Sequence, residues 1–295
     1  KNWADNYFSK FIEKIKFILK SNSLNQAKKN IHYHYDLGNK FYSLWLDSSM
    51  TYSSGIFLKD NDDLLTSQNN KYDNIIKKLD IQSSDVILEV GSGWGGFIKR
   101  NYEITGSQIE GLTISEQQFS YVNELIKKNE LSDSALELTK QKVVYDPSYF
   151  SIDYPNGDVP YGKGVCTDVV IRAYRKIGID LQKNIHEDME ANFGVYPKIW
   201  GLKTTDKNID HRRVPNLMTY FKRKGAEKTI SYKAENYLPG DIVCWNLGGA
   251  ITHIGIVVNK KSADGKRNLI VHNIGGGQVL ADCLFDYKII GHYRY

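Results

Sequence analysis

Gly164-Val165-Cys166-Thr167-Asp168-Val169-Val170-Ile171-Arg172-Ala173-Tyr174-Arg175 is the stretch on which the reading of the fold turns. After Cys166 the apolar residues fall at Val169, Val170, Ala173 and Tyr174, a spacing that lays one helix face against a core. Residues 153–164 before it hold two prolines and three glycines, so no regular element reaches Cys166 from upstream. Cys166 is therefore expected in the first helical turn. Unpaired backbone N–H groups and the positive end of the helix dipole favour a thiolate there, the nucleophilic form of cysteine.

A thiolate nucleophile needs a base, and the base needs an orienting partner. Downstream, Pro239-Gly240-Asp241-Ile242-Val243-Cys244-Trp245 reads as a turn feeding a strand. Thr252-His253-Ile254-Gly255-Ile256-Val257-Val258 and Leu269-Ile270-Val271-His272-Asn273-Ile274 read as two more, joined by a polar turn over 259–268. Adjacent strands bring His253 and His272 together. Cys166 as nucleophile, His253 as base and His272 as orienter follow the logic of a papain-type site. The backbone N–H of Cys166 is a candidate oxyanion donor. A zinc site from the same three residues is a minor alternative.

From about Ala135 to Tyr295 the chain resembles a bacterial domain-of-unknown-function family within the NlpC-like, papain-type cysteine peptidases and amidases. The matching stretches are Tyr145-Asp146-Pro147, the Cys166 segment, His186-Glu187-Asp188-Met189, Asp210-His211-Arg212-Arg213-Val214-Pro215-Asn216-Leu217, Pro239-Gly240-Asp241, the two histidine strands and Gly291-His292-Tyr293-Arg294-Tyr295. They run in order to the last residue. The resemblance implies amide hydrolysis, commonly of cell-wall (peptidoglycan) peptides, with the triad on Cys166, His253 and His272 and no cofactor. His186-Glu187-Asp188 and His211-Arg212-Arg213 lie in polar, loop-like surroundings. Arg212 or Arg213 is a candidate bidentate clamp for a substrate carboxylate, against the alternative of a solvated charge cluster. Cys244 and Cys283 sit among apolar residues and read as buried small hydrophobes.

The front half has a different character. Asp85-Val86-Ile87-Leu88-Glu89-Val90-Gly91-Ser92-Gly93-Trp94-Gly95-Gly96-Phe97 is a short strand, a glycine-rich turn and a helix start, in the manner of nucleotide-binding units. Residues 107–112 read as a second strand, and Gln117–Lys128 as a helix with Ser115 as N-cap. Asn2 to Leu131 resembles the front part of cyclopropane-fatty-acyl-phospholipid synthases, which use S-adenosylmethionine. The resemblance carries cofactor binding onto Tyr52 and Ser53, onto the turn at Glu89, Gly91, Gly93 and Gly95, and onto Thr113, Ser115 and Gln118. It stops early. Ala135-Leu136-Glu137-Leu138-Thr139-Lys140 begins what reads as the hydrolase half, where the next methyltransferase strand belongs. Two parallel strands cannot cover both faces of a sheet.

The expected architecture is α/β plus α+β. An incomplete Rossmann-like methyltransferase unit over 1–132 is followed by a papain-like, NlpC-type domain over 133–295, with the seam near Ser132 to Ser134. A second function class is thus a lipid methyltransferase, and a third is a non-catalytic binding module or defunct fusion. The halves imply different compartments, cell envelope for hydrolysis and cytoplasm for lipid cyclopropanation, and leave localisation unknown. A length of 295 residues suits two domains. A net charge of +5, with lysines dispersed, argues against a nucleic-acid partner. Three cysteines without a CxxC or an even framework indicate neither a disulfide scaffold nor a zinc ribbon. Trp3 to Lys20 reads as an amphipathic helix with a basic face, either packed on its own domain or lying on an anionic lipid surface. His32 and His34 alternate with tyrosines and read as structural. The first residue is Lys1 rather than Met, as in a fragment or processed chain.

Overall fold

The computed structural model describes residues 37–295. Trp3 to Lys20, His32 and His34 lie outside the described residues. The chain forms two compact units, divided after Glu124.

In the first unit α1 spans Gly38–Tyr42, α2 Leu64–Leu79, β1 Val86–Val90, α3 Gly96–Thr105, β2 Gln108–Leu112, and α4 begins at Glu116. Asp63 caps α2 by accepting from the Thr66 N–H at 2.7 Å. Strands β1 and β2 pair in parallel, Val86 opposite Gln108 through Val90 opposite Leu112. Side chains alternate along a strand, so Val86, Leu88 and Val90 share one face, and they are 69%, 59% and 78% exposed. One face of this sheet is therefore open among the described residues. The buried apolar groups are two small clusters, one around Tyr42, Met50 and Trp94 and one around Tyr72, Ile76 and Phe97.

Helix α4 spans Glu116–Leu138 and so runs unbroken through the seam expected near Ser132 to Ser134. The reason is packing. Leu131, Ala135 and Leu138 recur at helical spacing and are buried in the core of the second unit. The Ser132 hydroxyl oxygen between them is buried and accepts the Asn259 N–H at 2.8 Å.

The second unit continues with β3 (Val144–Tyr145), β4 (Lys163–Gly164), α5 (Cys166–Lys176), α6 (Leu181–Asn192), α7 (Val214–Arg223), β5 (Ile242–Gly248), β6 (Ile251–Lys261), β7 (Asn268–Asn273), β8 (Gln278–Ala281) and β9 (Lys288–Tyr293). The last five strands form one antiparallel sheet in the order β8-β7-β6-β5-β9. Both faces are covered. Ile242, Cys244, Ile254, Ile256, Val258 and Val271 join the buried side of α5, α6 and α7. On the other side Val243, Trp245, Val257 and Ile270 pack with Tyr237, Cys283, Leu284 and Ile289. The terminal strand is fastened by the buried Asp241 carboxylate, which accepts from Arg294 at 2.7 and 2.8 Å and pairs with His292 at 2.8 Å. Two of the stretches that carried the resemblance, Pro239-Gly240-Asp241 and Gly291-His292-Tyr293-Arg294, thus build scaffold.

Candidate active site

Helix α5 starts at Cys166, with extended backbone at Val165. Asp168, in its first turn, accepts the Val165 N–H at 2.7 Å and so satisfies the donor just ahead of the helix. The short β3 and β4 pair in parallel and set Tyr145 opposite Gly164, two residues from the cysteine. Tyr145 feels the charges of Cys166, Asp168 and Arg212, which places it at the same end of α5. The sequence signal for that position was only the Tyr145-Asp146-Pro147 match.

His253 and His272 meet as expected. Gly255 stands opposite His272 in the register of β6 and β7. His253 is two residues from Gly255 and on the same face, so it is the diagonal neighbour of His272, within reach for long side chains. The His253 Nε2 to His272 Nδ1 separation is 2.8 Å. With Nε2 engaged, Nδ1 of His253 is the nitrogen left for a thiol. Both rings are buried, at 4% and 3% exposure, and His253 lies against Trp245 with centroids 5.8 Å apart. Gly255 keeps this arrangement open: a Cβ there would come within 2.7 Å of Ile270 Cγ2 and 3.1 Å of His272 Cβ.

The thiol does not carry the depressed pKa that the helix start suggested. Burial pushes Cys166 up to about 12, against the opposing effect of the backbone N–H of Ile254 and those of Thr167 and Cys166 itself. The helix dipole is a surface-scale effect, and loss of solvent outweighs it here. Burial, with His272 alongside, lowers His253 to about 3. Burial thus disfavours the charged form of both the thiol and the imidazole. Sγ faces the Ile254 N–H, one residue from His253, and among the described residues no hydrogen bond joins it to either imidazole. No group of three or more histidine, cysteine or acidic residues is gathered for a metal among the described residues.

Arg212 departs from its expected role as a carboxylate clamp. Its guanidinium is buried and fully engaged, donating to both Asp168 oxygens at 3.1 and 3.2 Å, to Ser148 O at 3.0 Å and to Asp146 O at 3.4 Å. Its own carbonyl accepts from the Thr167 hydroxyl at 3.2 Å. Arg212 is therefore a brace under the first turn of α5. Arg213 is different: its guanidinium lies over the Trp200 ring at 4.2 Å, and Nη1 has no hydrogen-bond partner. Nor is the surrounding segment loop-like and solvated. His186 sits on α6 and pairs through Nδ1 with the buried Asp210 at 2.9 Å, and His211 is held near a pKa of about 3 by burial and by Arg212. A run of polar letters does not distinguish a solvated loop from a buried, mutually satisfied network. Cys244 and Cys283 are buried.

In the first unit the residues matched to cofactor binding gather around the turn after β1. Gly91 and Gly93 have positive φ, +87° and +55°, and a Cβ on either would meet nothing within 4 Å. Glu89 is half-buried, its Oε2 has no hydrogen-bond partner, and desolvation raises its pKa to about 7 against the pull of Lys71. The Thr113 hydroxyl donates to Gln118 Oε1 at 2.6 Å, and Ser115 caps α4 by accepting the Gln118 N–H at 3.3 Å. The Ser53 hydroxyl accepts from Lys71 at 2.6 Å, and Tyr52 packs edge-on to Trp45. An open cradle and an orphaned carboxylate fit one end of an amino-acid-bearing cofactor. A third strand for its far end is absent from this sheet among the described residues.

The family model described as a domain of unknown function, DUF1287, matches residues 132–295, more than half of the chain. The chain belongs to that family. An uncharacterized protein of Escherichia coli (strain K12), YijF, is 48% identical over 165 residues, which cover 56% of this chain and 80% of that protein. The model of the mycolic acid cyclopropane synthetases matches residues 22–143. A probable fatty acid methyltransferase of Pseudomonas putida is 38% identical over 106 residues, 35% of this chain, and the match spans about a quarter of that relative's length (26%). The crystal structure of the mycolic acid cyclopropane synthase CmaA1 with SAH and CTAB is 36% identical over 34% of this chain and 35% of its own, at a TM-score of 0.33. The chain is thus a DUF1287 region joined to a partial region similar to cyclopropane synthases.

Proposed function

We propose that residues 133–295 form an NlpC-type, papain-like cysteine hydrolase acting on amide bonds, with peptidoglycan peptides as the substrate class, behind a truncated methyltransferase region over 1–132. The observation that carries this is the 2.8 Å hydrogen bond between His253 Nε2 and His272 Nδ1. It commits one imidazole nitrogen to an orienting partner and leaves the other for proton transfer, which is the division of labour a thiol nucleophile needs.

Because burial disfavours charge on both thiol and imidazole, the proton moves during attack rather than before it. Cys166 Sγ forms a bond to the amide carbonyl carbon while His253 Nδ1 takes the thiol proton. The carbonyl electron pair moves to oxygen, where the Cys166 backbone N–H is the candidate donor. Collapse breaks the C–N bond, and the proton on His253 goes to the leaving amine. Water then attacks the thioester, His253 takes its proton, and the carboxylic acid departs as the thiol is restored. Resting hydrogen bonds at such sites are often long and tighten only with substrate. His272 orients His253, and Arg213 is the candidate for a substrate carboxylate.

The test is release of amine from purified cell-wall peptides by the full chain and by Cys166→Ala. Loss of turnover in the variant is expected, and a variant with undiminished turnover overturns the assignment.

A second reading rests on the open glycine cradle and the unpartnered Glu89. The residues of the turn would hold the amino-acid end of S-adenosylmethionine, a group that supplies an electrophilic methyl when bound. Titration calorimetry with S-adenosylhomocysteine tests it, and absence of heat at millimolar ligand removes it.

A further inference from the structure

Behind His272 lies a group that plays no part in the steps above. Cys283 Sγ sits 3.7 Å from His272 Nε2. The residue is 8% exposed and belongs to the cluster on the face of the sheet that β6 and β7 turn away from α5. Three side chains thus follow one another by hydrogen-bond contact: the His253 ring, the His272 ring and the Cys283 thiol.

The hydrogen positions along this line are interdependent. For His253 Nδ1 to take a proton it must carry none, so the neutral ring holds its hydrogen on Nε2. That hydrogen can only be donated to His272 Nδ1, which must then be bare. A neutral His272 with a bare Nδ1 carries its hydrogen on Nε2, facing Cys283. The opposite arrangement has the Cys283 S–H donating to His272 Nε2. It puts hydrogens on His272 Nδ1 and on His253 Nδ1, and His253 can then accept nothing from Cys166.

We propose that Cys283 is a positioning residue for the hydrolase site: its sulfur accepts from His272 Nε2–H, fixing the tautomers of both histidines so that His253 presents a bare Nδ1 to Cys166. The inference rests on Cys166 acting as the nucleophile and goes one residue beyond the triad. The groups whose charges bear on the two partners are Asp286, on both His272 and Cys283, and Asp282, on Cys283. The sequence offered Cys283 only as a small buried hydrophobe. Its register with the histidine strand depends on the turn after β8, which no local pattern signals.

The experiment compares wild type, Cys283→Ala and Cys283→Ser as full chains by two readouts. Long-range nitrogen–proton NMR of the imidazoles reports which ring nitrogen of His272 and His253 carries hydrogen. Alkylation by chloroacetamide, located by peptide mapping, reports Cys166 reactivity against pH. Wild type is expected to show His272 as the Nε2–H tautomer. Cys283→Ala is expected to mix the tautomers and slow Cys166 alkylation about tenfold near neutral pH, the scale seen when an outer-shell partner of a histidine is lost. Cys283→Ser, which keeps an acceptor, is expected to restore both. A merely packed cysteine gives the reverse pattern, in which Ala is tolerated, Ser is not, and the tautomers are unchanged. That pattern overturns the proposal, as does a wild-type His272 bare at Nε2. If Cys166 proves inert in wild type while the tautomers respond to position 283, the hydrolase assignment fails and the role of Cys283 in setting the histidines stands.

Discussion

Gly255→Ala is a single methyl group inserted between the two histidines, and its consequences can be worked from distances. The new Cβ would lie 2.7 Å from Ile270 Cγ2, closer than real Cβ contacts allow, and 3.1 Å from both His272 Cβ and Val271 O. Ile270 and Val271 are fully buried, so neither can swing into solvent to make room. Relief therefore comes from separating β6 and β7 at this point or from displacing the His272 side chain. Overpacking of this kind costs about 1–3 kcal/mol. For a unit of this size that corresponds to a fall in melting temperature of about 2–4 °C for each kcal/mol. The site should suffer more than the fold. A shift of about half an ångström lengthens the 2.8 Å His253–His272 bond past the ~3.2 Å limit of good geometry. Differential scanning calorimetry gives the first quantity, and chloroacetamide labelling of Cys166 at neutral pH gives the second. A Gly255→Ala protein that melts with wild type and labels at the wild-type rate refutes the close-approach reasoning.

Acid should weaken the second unit before its carboxylates titrate. His211 and His253 are each lowered from 6.5 to about 3. From pH 6.5 downward the unfolded chain takes up protons that the folded state refuses, so stability is intact above 6.5 and falls as pH drops toward 3. The slope is about 1.4 kcal/mol per pH unit for each fully perturbed histidine. His272 is lowered by burial as well, so urea unfolding at pH 7 and pH 5 should show a clear loss that His211→Gln reduces in part, and equal midpoints contradict it. Arg212→Ala strands the buried Asp168 charge and should destabilise by about 3–5 kcal/mol in calorimetry, whereas a loss below about 1 kcal/mol would return Arg212 to the surface. Arg213→Ala should leave folding nearly unchanged and raise KM for acidic peptides about tenfold at constant kcat, and a fall in kcat alone would refute a binding role. The first unit by itself presents Val86, Leu88 and Val90 to solvent. A piece ending at Glu124 is expected to bind a hydrophobic dye and associate in sedimentation, and a monodisperse, dye-silent piece contradicts an open sheet face.

Periodicity made the helix at Cys166 and the three strands around the histidines legible, because alternation and helical spacing are properties of the local chain. The pairing of His253 with His272 followed from adjacency of their strands. Three other features were not local. Burial pushes the Cys166 thiol pKa up, and no spacing rule reports that burial. Arg212 reads as a surface clamp until Asp168, on another helix, is seen to hold it. The seam near Ser132 was drawn where one resemblance ends and the other begins, yet Leu131, Ala135 and Leu138 keep the helix running because their partners lie far along the chain. Resemblance located the two halves, and packing decided where the elements stop.

The most direct measurement is capture of the acyl-enzyme. The full chain is incubated with a peptidoglycan peptide, quenched in acid and mapped by mass spectrometry. The expected result is an acyl group in thioester linkage on the peptide that contains Cys166, absent from Cys166→Ala together with turnover. Turnover that persists in Cys166→Ala, or an acyl group found on any other residue, contradicts the assignment of Cys166 as the nucleophile.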